Sequence, residues 1–280
     1  SHRNVLWTIE SLFGQMIPAS KFPRIVSYLP MAHIAARAGD HYQSIYRVGQ
    51  IFPVPVLEDM RDALPTIKPS VFLAVPRVWE RFKGGLQAKI EENPKKDLID
   101  KAIANGLEKV DYEQRGESVP LGIKIKDKVF AKLVFSKFKE GLGIVDTEYF
   151  VTAAAPMNKD VHRWFHAIGI DITEIYGMTE DTGPATIGVP GNAAESFSKK
   201  LKVDGIEIPS VLNPIGKVGI PIPGTEVKVM DDGELCIKGN HVAQGYYKSD
   251  EQTAETFDED GWLHTGDLAE IDSEGYVKII

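Results

Sequence analysis

Apolar residues recur every three or four positions over residues 3–16, where Val5, Leu6, Ile9, Leu12, Phe13 and Met16 share one stripe. That period predicts an amphipathic helix. Short apolar runs follow at 25–29, stopped by Pro30, and at 71–75, stopped by Pro76. Both read as buried strands. Between them, residues 32–38 predict a helix ended by Gly39, and 43–50 and 51–56 predict two short strands joined by a turn. Residues 77–90 predict a helix with Val78, Phe82 and Leu86 four apart; its Gly84-Gly85 pair costs roughly 1 kcal/mol per Gly relative to Ala. Two more helices are expected near 97–110 and 122–139, separated by a polar loop over 111–120. Val129, Phe130, Leu133, Val134 and Phe138 fall on one side of the second. A strand at 149–152 enters an Ala-rich turn, a helix over 159–168 ends at Gly169, and 170–175 is again strand-like. Strands alternating with helices up to about residue 180 indicate an α/β unit with a largely parallel sheet.

The texture changes after Gly183. Residues 188–224 are rich in Gly, Pro, Ser and Asn and carry no sustained helical period. Residues 225–230 and 234–238 then alternate around Asp231-Asp232-Gly233, a hairpin signal. Residues 268–271 and 276–280 flank a second turn. One helix is expected over 250–257, where Ser249 and Gln252 have capping-box spacing. The pattern divides the chain into an α/β part, 1–205, with a helical insertion at 91–140, and a β-rich part, 206–280.

Composition narrows the chemistry. With 280 residues, 43% of them hydrophobic, the chain can bury a sizeable core, and two packed units are expected. A net charge of −8 disfavours non-specific nucleic-acid binding through the whole-protein field. Cys236 is the only cysteine, which excludes an internal disulfide and suits a reducing, cytoplasmic setting. No apolar run approaches the ~18–20 residues of a membrane span. Lys124, Lys126, Lys128, Lys132, Lys137 and Lys139 crowd one helix. They read as a solvated face, as a basic surface for anionic lipid at a membrane periphery, or as an approach for a phosphate-bearing ligand. His162 and His166 lie four apart, a zinc-like spacing. Arg163 stands where a zinc protease has Glu, so an ordinary helix face is expected.

Two short motifs carry the functional signal. Tyr176-Gly177-Met178-Thr179-Glu180 follows the strand-like run 170–175, and Thr265-Gly266-Asp267 lies far downstream. The ring can stack on a base and the Gly lets backbone approach a phosphate. The Thr hydroxyl can bond a phosphate oxygen, and the Glu can hold a hard cation such as Mg²⁺. A carboxylate after a Gly turn suits a ribose diol, because it accepts two hydrogen bonds. The plain readings are a strand–turn, a solvated acid at Glu180 and a turn cap at Asp267.

Together, in this order, the motifs resemble the adenylate-forming superfamily of acyl-CoA synthetases, luciferases and peptide-synthetase adenylation domains. The stretches 27–37 (SYLPMAHIAAR), 68–82 (KPSVFLAVPRVWERF), 233–247 (GELCIKGNHVAQGYY) and 260–280, with Ala153-Ala154-Ala155-Pro156, are similar to its long-chain fatty acyl-CoA synthetase branch. The resemblance implies the large-domain portion of such an enzyme: a mainly parallel sheet with helices plus a β-rich subdomain. The opening Ser1-His2-Arg3-Asn4 is similar to the stretch that follows the family's phosphate loop. This implies a chain that begins after that loop and stops before the hinge and the lysine-bearing C-terminal domain.

The resemblance also implies roles. Ala153, Ala154, Ala155 and Pro156 would cover one face of adenine and Tyr176 the other, with Gly177 and Met178 alongside and Ile279 at the base edge. Many relatives have Gly where this chain has Ala. Thr179 would bond phosphate, Glu180 would hold Mg²⁺ and Asp267 the ribose. His33 would stand between the acyl carboxylate and the α-phosphate; a satisfied core histidine is its plain alternative. An acyl groove would run along 28–36 and 71–75, with Val75 in its wall. The implied reaction joins a long-chain fatty acid, ATP and CoA through an acyl-adenylate. A ligase for a medium-chain or aryl acid, or a non-catalytic adenylate-binding module, are the alternatives.

Overall fold

In the computed structural model, residues 1–17, 22–189, 211 and 213–280 are described. Seven strands form the main sheet: β1 (Arg24–Ser27), β2 (Gln50–Pro53), β3 (Val71–Leu73), β4 (Tyr149–Thr152), β5 (Ile172–Met178), β6 (Gly183–Ile187) and β7 (Ile220–Pro221). Their order is β2-β1-β3-β4-β5-β6-β7. The first five run parallel, with Val71 opposite Ile25 on one side and Tyr149 on the other. β6 and β7 return antiparallel. The fold is therefore α/β with a mainly parallel sheet.

Four further strands, β8 (Glu226–Val229), β9 (Glu234–Lys238), β10 (Leu263–Ile271) and β11 (Val277–Ile279), make an antiparallel sheet in the order β11-β10-β9-β8. The two sheets are laced together where Val218 N–H donates to the Val277 carbonyl and Val277 N–H to the Gly219 carbonyl, both at 2.8 Å. The expected 205/206 division lies outside the described residues.

Helices cover the main sheet. α1 (His2–Ile9) continues as a π-type helix over Glu10–Met16, as the apolar stripe requires. Its buried side chains, Leu12, Phe13 and Met16, pack with Val71, Tyr149 and Ile187. α2 (Ile34–Ala36) does not stop at Gly39. It runs through a π-type segment, Arg37–Tyr42, into a helical Gln43–Arg47 and ends at Val48, whose φ is +55°. The strand expected over 43–50 is thus helix. Gln43 and Ser44 are buried while Ile45 and Tyr46 face outward, and that pairing mimicked alternation.

α3 (Met60–Ile67) was not marked by the pattern. α4 (Pro76–Glu91) starts with Pro at its first position, where the missing N–H is harmless. Its Trp79 is fully buried, touches Phe72, Phe150 and Phe165, and donates Nε1–H to the Ala74 carbonyl at 3.1 Å.

α5 (Lys96–Gln114) and α6 (Leu121–Phe130) form the predicted helical pair, with α5 reaching into the expected loop. α6 continues through a π-type Ala131–Phe135 and a helical Ser136–Leu142. α5 packs against both α6 and α7 (Lys159–Ala167). At Gly106 the helices touch backbone to backbone: a Cβ there would lie 2.0 Å from the Ala167 carbonyl oxygen. Arg163 clamps Asp111 with two bonds, at 2.8 and 2.6 Å.

The apolar side of α6 is divided. Val134 and Phe135 are buried, whereas Leu121, Ile125, Val129 and Leu133 stand 48–73% exposed beside Lys124, Lys128 and Lys132.

On α7, His162 and His166 turn inward. Their Nε2 atoms approach the Ile172 carbonyl at 2.7 and 3.1 Å, and burial lowers the His166 pKa to about 4. In α8 (Asp250–Thr256), Ser249 Oγ bonds the Gln252 side chain at 2.8 Å. The expected cap on the helix backbone is not formed.

Candidate active site

The sequence places its small and aromatic residues where parallel strands end, the edge at which ligands of open α/β sheets collect. β4 delivers Ala153–Pro156. Ala153 is half-buried, and Ala154, Ala155 and Pro156 are exposed, with Ala154 in the left-handed region at φ +72°.

β5 does not end before the tyrosine motif. Tyr176, Gly177 and Met178 remain in the strand and pair with β6 across an irregularity between Tyr176 and Gly177. Only Gly fits at 177, because a Cβ there would lie 1.7 Å from the Gly183 carbonyl oxygen. Thr179 and Glu180 then occupy the reversal between β5 and β6. Thr182 N–H closes this turn onto the Thr179 carbonyl at 3.1 Å.

Asp181 builds that reversal. It is fully buried, and its Oδ1 accepts from Met178 N–H at 3.0 Å and from Gly183 N–H at 3.1 Å. Burial raises its pKa well above the usual carboxylate range. The sequence reading takes only Glu180 from this pair of acids and gives Asp181 no role. The signal that could have found it is Asp-Thr-Gly after a strand, since Asp side chains commonly bond backbone N–H groups two residues on.

The turn is also tied to the loop after β9. Ala243 N–H donates to the Glu180 carbonyl and Thr182 Oγ1 to the His241 carbonyl, both at 2.7 Å. Tyr246 hydroxyl donates to Glu180 Oε1 at 2.7 Å. Asn4 on α1 holds the same loop through the Asn240 and Val242 carbonyls, and Trp7 stacks on His241 at 4.8 Å. None of these supporting residues was singled out from the sequence.

Asp267 comes from the other sheet. Thr265 Oγ1 donates to the Leu235 carbonyl at 2.7 Å and accepts from Asp267 N–H at 3.1 Å. Glu234 takes Gly266 N–H at 2.8 Å on one oxygen and approaches His264 Nδ1 at 2.7 Å with the other. This brace presents Asp267 to Tyr176, whose hydroxyl donates to Asp267 Oδ2 at 2.6 Å. Burial, followed by that bond, raises the Tyr176 pKa. Ile279 and Tyr176 pack on one small cluster around Leu235, Ala269 and Val277.

His33 is the exposed N-cap of α2. Its Nδ1 accepts from Ala35 N–H at 3.1 Å, which in a neutral ring leaves Nε2 as the donor. His33, Ala153, Ala154 and Gly177 together line an apolar pocket of about 90 Å³, with Val71 and Leu73 in its wall. Val75 is not among the lining residues. β3 ends at Leu73, and the turn into α4 aims Val75 at the main core. Of the run 71–75, Val71 and Leu73 line this pocket and Val75 does not.

The structure thus brings Tyr176, Asp267 and Ile279 together on one side and His33, Ala153, Ala154 and Gly177 on another. Thr179 and Glu180 stand at the turn of the same hairpin. An aromatic ring, a carboxylate and a small-residue turn at the carboxyl edge of a parallel sheet are the equipment of a nucleotide-binding α/β protein.

The chain belongs to the AMP-binding enzyme family, whose model matches residues 1–247. It is 33% identical over 291 residues to the rat long-chain-fatty-acid–CoA ligase ACSBG2, covering all of this chain and 40% of that protein. It is likewise 33% identical over 269 residues to mouse long-chain-fatty-acid–CoA ligase 5, covering 91% and 35%. The fold is shared with the N-terminal domain of FACL13 from Mycobacterium tuberculosis. That match has a TM-score of 0.64 and 23% identity, over all of this chain and 56% of that one. The chain therefore spans well under half the length of these two ligases.

Proposed function

We propose that this chain is the acyl- and nucleotide-binding part of an AMP-forming long-chain fatty acid–CoA ligase. In the first step a carboxylate oxygen attacks the α-phosphorus of ATP, and the bond to pyrophosphate breaks. In the second, CoA thiolate attacks the acyl carbon and AMP leaves. The observation that carries the reading is the meeting of two sites at one sheet edge. The pocket of His33 opens beside Ala153, Ala154 and Gly177, and the residue before that glycine, Tyr176, meets Asp267 from the second sheet.

In this reading residues 1–205 hold acyl group and base, and 206–280 bring the ribose carboxylate. The backbone of 153–156 lies on one face of adenine and the Tyr176 ring on the other, with Met178 beside them and Ile279 at the edge. Asp267 accepts the ribose hydroxyls and Thr179 bonds a phosphate oxygen. His33 offers Nε2–H to the acyl carboxylate. Glu180 fits a hard cation, because Tyr246 occupies only one of its oxygens. Mg²⁺ held there would neutralise charge on departing pyrophosphate.

We also place the protein at the cytoplasmic face of a membrane, in peripheral contact. The exposed stripe Leu121, Ile125, Val129 and Leu133, flanked by lysines, has the form of an interfacial helix, and fatty acids partition into bilayers. Among the described residues no helix is long and apolar enough to cross one.

ATP–pyrophosphate exchange by the complete ligase carrying this chain, measured across acids, tests the reading. Exchange is expected with long-chain acids above medium-chain and aryl acids. Preference for the latter would move the substrate class, and no exchange with any acid would leave a binding module.

A further inference from the structure

The apolar pocket beside His33 has a polar end that a hydrocarbon chain does not use. Its walls include Phe13, Ile25, Val71 and Leu73, yet Asp40 and Gln43 line it too. Asp40 is 4% exposed and Gln43 1% exposed. Asp40 Oδ2 and Gln43 Nε2 have no hydrogen-bond partner. Burial pushes the Asp40 carboxyl up to about 6, against a hydrogen bond from Ser27 that lowers it. Buried polar side chains in native proteins are nearly always paired. Two residues that line one pocket, one with an open acceptor and one with an open donor, therefore call for a ligand group that answers both.

We propose that this pocket receives an acyl group carrying a hydroxyl, which Asp40 and Gln43 hold together. The inference rests on the ligase reading. A hydroxyl is donor and acceptor at once, so it can give its proton to Asp40 Oδ2 while accepting from Gln43 Nε2–H. An ammonium would satisfy Asp40 and oppose the amide N–H groups of Gln43. A methylene satisfies neither and leaves both desolvated. Asp40 lies about two turns beyond His33 along the same helical stretch. With the carboxylate at His33, the hydroxyl falls within the chain rather than next to the carboxylate.

A site built to bond a substrate hydroxyl rejects the analogue that lacks it, because its own polar groups stay unpaired. The complete ligase is assayed for pyrophosphate release with fatty acids of several lengths. Each is supplied plain and with one hydroxyl stepped along the chain. A window of hydroxyl positions is expected to give kcat/KM ten- to hundred-fold above the plain acid, the range of a hydrogen bond to a charged group.

Asp40→Leu and Gln43→Leu are expected to bring the ratio within about two-fold of one, by losing the hydroxy acid and gaining the plain one. Gln43→Met, which keeps the side-chain length, is the second variant if either fails to melt cooperatively. A flat wild-type profile that the variants leave unchanged overturns the inference and means that the two groups hold only a water. If no acid of any kind releases pyrophosphate, the ligase reading is what has failed. Calorimetric binding of plain and hydroxylated acids to wild type and Gln43→Met then still decides the hydroxyl: equal affinities overturn it, and a ratio lost in the variant supports it.

Discussion

The hydroxyl of Tyr176 and the carboxylate of Asp267 bond at 2.6 Å across the junction of the two sheets. The proposed ribose carboxylate is thus partly occupied by the residue proposed to stack on the base. A ribose that enters must share Asp267 with Tyr176 or displace it. Asp267→Ala is expected to weaken AMP and ATP alike, by about one to two decades for a lost bond to a charged group. Pyrophosphate, which has no ribose, should bind as before. Tyr176→Phe keeps the ring and removes the competitor, so AMP should bind several-fold more tightly. Calorimetric titration reads all three; unchanged AMP affinity in a well-folded Asp267→Ala protein sinks the ribose assignment.

Asp181 sets the turn that presents Glu180. Asp181→Asn keeps an acceptor for the Met178 and Gly183 N–H groups and should melt close to wild type. Asp181→Ala leaves two buried donors open, at about 1–3 kcal/mol each, and should melt lower by several degrees. Equal melting of the two variants would show that the carboxyl oxygen does not hold the turn.

Much of the frame was legible because burial was written as period. Tyr149–Thr152 is found as read, and the stripe through Leu12 and Met16 forms the helix it predicts. Residues 43–50 misled because a helix showing two polar and two apolar residues in turn imitates a strand over so short a span. The site was legible in type but not in wiring. The motif residues share one edge, whereas Tyr246 and His241 act through contacts across the fold, which local pattern does not encode. Asp181 acts locally, on the N–H groups of Met178 and Gly183, and was missed although its Asp-Thr-Gly signal is local. The buried run 71–75 was read as one strand, whereas β3 ends at Leu73 and Val75 packs on the main core.

His241 supplies a pH test. It is fully buried against Trp7, and burial lowers its pKa from 6.5 to about 4. A depressed histidine contributes stability that is full above pH 6.5 and lost as pH falls through 4. His166 acts in the same direction, while Asp40, raised to about 6, acts oppositely between its ordinary 3.8 and 6. The comparison therefore needs His241→Phe, which keeps a ring on Trp7. Wild type should lose melting temperature relative to this variant between pH 7 and 4.5. Parallel curves would mean that His241 is not held neutral by the fold.

The stripe on α6 predicts lipid dependence. Vesicles containing phosphatidylserine should bind the protein, neutral vesicles much less, and half-molar salt should release it. Lys124→Glu, Lys128→Glu and Lys132→Glu combined should reduce binding by at least 100-fold, at ~1 kcal/mol per lysine lost near the surface. Ile125→Ser with Leu133→Ser should weaken binding at either salt. Equal binding to neutral and anionic vesicles would refute the electrostatic part.

Glu180 decides the chemistry. Its backbone is fixed by Ala243 N–H, so Glu180→Gln should preserve the turn while removing the charge. If the carboxylate holds Mg²⁺ against pyrophosphate, the variant loses adenylation by about 10²–10³-fold, the usual scale for one preorganised electrostatic contact. Thioester formation from supplied acyl-adenylate has no pyrophosphate to neutralise and should fall little. Tyr246→Phe frees Oε1 and removes the bond that raises the phenol pKa. It should leave both half-reactions within about five-fold, because the lost bond only supports the carboxylate and the cation ligand itself stays. Adenylation and thioesterification are assayed separately on each complete variant enzyme. Equal losses in the two half-reactions for Glu180→Gln would assign Glu180 to the turn and not to the metal.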